Sequence, residues 1–84
     1  MNRTKRIQGI IEKNFNEFSV LVIDDSLAHK GHYNFDGKDE THIIIELKKK
    51  FNLDIKRLEI HKKINTLLSK EFKIGLHALQ IKII

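Results

Sequence analysis

The apolar positions of this chain change their period along its length, and each change marks an element. Ile7, Ile10, Ile11, Phe15 and Phe18 recur at helical spacing. That pattern predicts an amphipathic first helix, with Thr4 as its N-cap and a stop near Asn14 or Asn16. From Phe18 to Ile23 the residues turn β-branched and aromatic, which predicts a strand. Asp24-Asp25-Ser26 leaves it, and the stretch to Asp39 collects the turn-forming residues. Thr41 to Leu47 resumes as a second strand, antiparallel to the first across a long loop, and Lys48-Lys49-Lys50 brings it to the surface. Asp54 is placed to cap a second helix starting at Ile55. Its buried stripe is Ile60, Ile64, Leu67 and Leu68, its wet side Lys56, Arg57, Lys62, Lys63 and Lys70, and its end lies near Phe72, ahead of Gly75. The last segment, Leu76 to Ile84, alternates as a strand: His77, Leu79, Ile81 and Ile83 share one face, Gln80 and Lys82 the other.

The order α-β-β-α-β predicts a single domain over residues 1–84. Its class is α+β: two layers, a three-stranded mixed sheet with both helices on one face. A helix lies in the connection between the second and third strands, so those two can run parallel if they are neighbours.

Composition narrows the chemistry. A hydrophobic fraction of 40% supports a small core and argues against a disordered chain. Val20 to Ile23 is too short an apolar run to cross a bilayer, which takes about 20 residues, and no apolar stretch follows the basic N-terminus to make a secretory signal. A cytoplasmic protein without membrane contact is therefore expected. With no cysteine there is no disulfide, no thiol nucleophile, no zinc ribbon and no cluster held by the chain's own thiolates. The Ser residues lack an elbow or triad motif, the glycines are scattered, and neighbouring Asp24 and Asp25 diverge on a strand. The chain reads as non-catalytic.

The net charge of +5 is concentrated. Lys48, Lys49, Lys50, Lys56, Arg57, Lys62 and Lys63 make a basic segment that suits an anionic partner such as DNA. Lysine outnumbers arginine among the cations, which fits a solvated surface at least as well, because arginine is the better reader of phosphate and guanine.

The five histidines carry more information. His29-Lys30-Gly31-His32 sets two imidazoles three residues apart in the long loop. This spacing suits one metal ion or two solvated side chains equally. His77 falls on the apolar face of its strand, where pattern alone makes it a hydrogen-bonded core residue. His61 sits at the edge of a helix stripe, and His42 opens a strand, so both are expected to be structural.

These pieces, in order, resemble the BolA family: Asp24-Asp25-Ser26-Leu27-Ala28-His29-Lys30-Gly31-His32, then Glu40-Thr41-His42-Ile43, then Leu58-Glu59-Ile60-His61, and finally Leu76-His77-Ala78-Leu79. The resemblance spans nearly the whole chain. It implies a fold related to the class II KH domain. It also implies a monothiol glutaredoxin of the CGFS type as partner, in a heterodimer sharing a [2Fe-2S] cluster. The partner and bound glutathione would supply thiolates. This chain would supply His77, from the family's H-A-L motif, and a loop ligand best matched by His29, with His32 as the nearby alternative. His42 and His61 match family histidines that look architectural. The resemblance thus implies cluster assembly, transfer or iron sensing, with no cluster bound by the isolated chain, which is expected to be a monomer. It offers DNA-binding transcriptional regulation through the basic 48–63 surface as the alternative.

The donor set agrees with the first reading. Two imidazoles can replace two thiolates on one iron of such a cluster, so a chain with histidines and no cysteine can complete at most half of a shared site. Imidazole ligates only when neutral, so affinity should fall as the pH drops below about 6.5. Two positions depart from the family pattern. Ile60 stands where an arginine normally precedes the helix histidine, and the turn between Phe51 and His61 is one residue longer than usual.

Overall fold

A computed structural model describes residues 2–25 and 41–84. His29 and His32 lie outside the described residues. The elements follow the order α1 (Arg3–Asn14), β1 (Phe18–Asp24), β2 (His42–Lys49), α2 (Arg57–Leu67), α3 (Ser69–Lys73) and β3 (Ala78–Ile83).

The sheet order is β1-β2-β3. β1 pairs antiparallel with β2, Val22 facing Ile45, and β2 pairs parallel with β3, Ile45 facing Ile81. A parallel neighbour needs a crossover, and α2 and α3 provide it. Alternation then sorts the central strand: Ile43, Ile45 and Leu47 point into the core, while Ile44 and Glu46 on the other face are half-buried. The core is completed by Ile7, Ile11 and Phe15 of α1, Phe18 and Val22 of β1, Ile64 and Leu68 of the crossover, and Leu76 and Ile83. Both helical layers therefore lie on one face of a mixed sheet, as the sequence pattern predicts.

Three local expectations are corrected. The cap of α1 is Asn2 rather than Thr4: the Lys5 amide donates to Asn2 Oδ1 at 2.9 Å, one of the otherwise unpaired donors of the first turn. The second helix starts at Arg57, with Lys56 in the cap position and no side-chain cap, so Asp54 does not cap it. Leu53 and Ile55 explain why: both are half-buried against the core at a spacing of two, and this packing holds the segment out of helical form. The same helix is also divided at Leu68, whose φ of −100° and ψ of 11° leave the helical range. Leu68 is fully buried, so the break turns the chain while keeping the apolar side chain in the core.

The return from α3 to β3 depends on Gly75. Its φ of +127° is a conformation that residues with a Cβ rarely adopt. An added Cβ would also meet Arg3 Nη2 at 3.0 Å. Arg3 is there because it and Arg6, one turn apart on α1, both bind Glu71 of α3. Arg3 Nε donates to Oε1, Arg6 Nε to Oε2 and Arg6 Nη2 to Oε1, each at 3.0 Å. Arg3 Nη2 also donates to the Ile74 carbonyl at 2.9 Å. Glu71 is only 4% exposed. Two cations near a helix N-terminus are unfavourable on their own, and this buried carboxylate offsets them.

Candidate functional site

Leu76, buried, fixes the last residue before the site, and its amide donates to the Glu71 carbonyl at 2.9 Å. Next in the chain, His77 and Ala78 both donate their backbone N–H to the carbonyl of Thr41, at 2.8 and 3.1 Å. The main chain of His77 is thus pinned to the start of β2 from one side and anchored to α3 from the other. Its imidazole is nevertheless exposed. The expectation that the pattern alone sets for His77, a packed core histidine, fails here. The residue has the parity of Leu79 and Ile81, but it precedes β3 and is exposed where they are half-buried.

His42 stands beside it. The two rings lie 6.1 Å apart between centroids, at 82° to one another. His42 Nδ1 is 2.9 Å from the hydroxyl of buried Thr41, and the His42 carbonyl accepts from the Asp25 amide at 2.8 Å. Ordinary β pairing thus brings together the exit of β1, the entry of β2 and the entry of β3. A shallow hollow of about 170 Å³ lies next to the pair, lined by Asp25, His42, Ile44, Ala78 and Gln80 among others. Asp25 and Thr41 are also the described residues nearest in sequence to His29 and His32, and both bond at this strand end: the Asp25 amide to the His42 carbonyl and the Thr41 carbonyl to the His77 amide. Among the described residues no three His, Asp or Glu side chains come together as a metal cage.

His61 is elsewhere. It is half-buried on α2, and its carbonyl accepts from Asn65 Nδ2 at 2.8 Å, one turn along. The cations of the basic segment do not all share one face. Lys48 projects from the open face of β2, opposite Ser19, whereas Lys62 and Lys63 belong to the helix layer on the other face. Lys49 is half-buried, and Lys50 and Lys56 are exposed. Arg57 reaches the Ile83 carbonyl at 3.4 Å, and Lys63 lies 5.0 Å over the ring of Phe15.

The BolA-like protein family model matches residues 11–84. This chain belongs to the BolA family. Among curated relatives, "Uncharacterized protein in cobS 5'region" of Sinorhizobium sp is 32% identical over 98% of this chain and 89% of its own length. "Protein BOLA1, chloroplastic" of Arabidopsis thaliana is 30% identical over 95% of this chain, which spans only 51% of that protein. Two solved Arabidopsis thaliana structures share the fold. The BolA domain of SufE1 superposes with a TM-score of 0.78 at 31% identity, covering 99% of this chain and 91% of that one. BolA1 superposes with a TM-score of 0.77 at 29% identity, covering 99% and 90%. The H-A-L segment of this BolA-family chain is the one that presents His77, and its E-T-H segment supplies the carbonyl that pins it. Sequence reasoning did not find Glu71. It is an ordinary-looking acid on a short helix, and the signal lay in Arg3 and Arg6, more than sixty residues away in sequence. No helix among the described residues is long and apolar enough to cross a membrane.

Proposed function

We propose that this BolA-family chain is an iron–sulfur adaptor that binds a monothiol glutaredoxin and completes a shared [2Fe-2S] cluster with His77 and one histidine of the 26–40 segment. The observation that carries this reading is the placement of an exposed imidazole on a fixed backbone. The second imidazole lies in sequence between Asp25 and Thr41, and both of those residues bond at the same strand end. The donor set fits as well: the chain offers nitrogen ligands and no thiolate, so its contribution is that of a partner to a thiol-bearing protein. When bound, the cluster would supply a redox-active and transferable iron–sulfur unit. The work of this chain is to hold His77 in place, leave its ring open, and bring a second imidazole from the neighbouring segment. Whether His29 or His32 fills that position is an outcome of the experiment below. No catalytic step is assigned to any residue. DNA binding through the basic 48–63 surface is the alternative reading, and Lys48 lies on the opposite face of the sheet from Lys62 and Lys63.

The test is reconstitution. Mixing the chain with a glutathione-loaded monothiol glutaredoxin, iron and sulfide should give visible absorption and circular dichroism spectra distinct from those of the glutaredoxin alone. His77→Ala should return the spectra to the glutaredoxin pattern, and one of His29→Ala and His32→Ala should do the same. Spectra identical with and without this chain would overturn the proposal, as would full insensitivity to His77→Ala.

A further inference from the structure

The two edges of the sheet are treated differently. On β1, the Gln8 side chain acts as a short stretch of strand: its Nε2 donates to the Val20 carbonyl at 2.7 Å, and its Oε1 accepts from the Val22 amide at 3.0 Å. That edge is closed by a single residue of α1. On β3 the Ala78 and Ile84 amides donate to Thr41 and Leu47, so even-numbered positions face β2 and odd-numbered ones face outward. The Arg57 guanidinium at the Ile83 carbonyl marks that outward side and occupies its last acceptor. The outward N–H and C=O of Leu79 and Ile81 have no partner among the described residues. Their side chains stay half-buried, whereas Ile43 and Ile45 beside them on β2 are 2% and 0% exposed. Among the described residues, an open hydrogen-bonding edge therefore runs along an apolar shoulder that is only half-buried.

We infer that β3 pairs with β3 of a second copy of this chain, antiparallel about a two-fold axis at Gln80, to form a continuous six-stranded sheet. The strand is complementary to itself in that register. Leu79 and Ile81 of one copy face Ile81 and Leu79 of the other, exchanging the four free backbone hydrogen bonds and covering the apolar shoulder. On the open face Gln80 meets Gln80, and Lys82 meets Ala78 rather than another lysine. Lys82 keeps its own neighbour Glu46 on β2. A register centred on Ile81 would need the Ile83 carbonyl that Arg57 holds. Each copy carries +5, so long-range repulsion opposes the contact. The pairing is consequently weak, concentration-dependent and strengthened by salt, the opposite of a nucleic-acid contact. It departs from the sequence-based expectation that the isolated chain is a monomer, and it does not depend on the cluster reading.

Analytical ultracentrifugation of the full chain tests it. A monomer–dimer equilibrium in the millimolar range or tighter, shifting toward dimer as salt rises, is expected. Gln80→Lys places like charges at the closest cross-strand pair and should weaken the dimer about fivefold. Ile81→Pro removes an outward N–H without touching the β2 ladder and should weaken it more than about tenfold. Gln80→Cys brings in the chain's single thiol and should form a dimer-linking disulfide under mild oxidation far faster than Lys82→Cys. A chain that stays monomeric at every concentration overturns the inference. So does a dimer that tolerates both Gln80→Lys and Ile81→Pro, since the copies would then meet elsewhere.

Discussion

Two polar clusters in this small domain are built in opposite ways. Around Glu71 the side chains are buried in one another: three hydrogen bonds from two guanidiniums satisfy one carboxylate that is 4% exposed. At His77 the backbone carries the constraint, through bonds to Thr41 and the anchoring of Leu76, and the side chain is left open. The first arrangement spends its hydrogen-bonding capacity internally, so it can only hold α1 against α3. The second fixes a position and leaves the imidazole exposed. Polar groups that make the fold and polar groups that use it can be told apart by this difference in what is satisfied.

Glu71→Ala should break the contrast most severely. Removing the carboxylate leaves Arg3 and Arg6 close together and partly buried, and breaking such a pair costs about 3 kcal/mol, less than a fully enclosed one because Arg6 can reach water. A drop in the urea midpoint with an unchanged slope would show it; a change below about 0.5 kcal/mol would mean the cluster is ornamental.

Acid should reproduce part of that loss. The Arg6 hydrogen bonds hold the Glu71 carboxyl below its ordinary value of 4.5, with burial opposing them and Arg3 adding to them. A carboxylate depressed in the folded state stabilises fully above its unfolded pKa. That contribution is lost as the pH falls through 4.5 and on through the lower folded value. Stability profiles of the wild type and Glu71→Gln should therefore converge on acidification from pH 6, and parallel profiles would contradict the assignment.

Gly75→Ala sharpens the comparison, because it strikes the joint between the clusters. The residue holds φ at +127°, and its new methyl would press on the Arg3 guanidinium that Glu71 already fixes. A cost of about 2 kcal/mol is expected from backbone strain. The Arg3→Ala background should relieve only the steric share of it.

What could be read from the sequence follows the range of the interaction that decides each feature. The element order, the mixed sheet and the helix stripes depend on periodicity within a few residues, and Ile7, Ile11 and Ile64 are buried as that periodicity predicts. The start of α2 departs from its sequence signal because an Asp at a cap position is a local cue, while Leu53 and Ile55 pack against a core assembled from distant strands. Glu71 was missed for the same reason, its partners lying at the far end of the chain. The His77 site was legible as a motif, yet its exposure was not. Strand parity gives the direction of a side chain and is silent on whether a helix reaches that far along the sheet.

The smallest expected effect on stability is the most informative for the comparison. His77→Ala removes an exposed imidazole whose backbone bonds to Thr41 are retained, so the folded state loses little. Surface changes of this kind stay within about 0.5 kcal/mol. Its ring does touch the neighbourhood of His42, and an edge-to-face pair of this kind can contribute about 0.5 kcal/mol at most in an exposed setting. Chemical denaturation should thus place His77→Ala on top of the wild type, while the same variant alters the spectrum of the reconstituted complex. A loss of stability comparable to that of Glu71→Ala would mean that the imidazole is part of the scaffold after all. The distinction between a spent cluster and a reserved one would then collapse at the residue on which it rests.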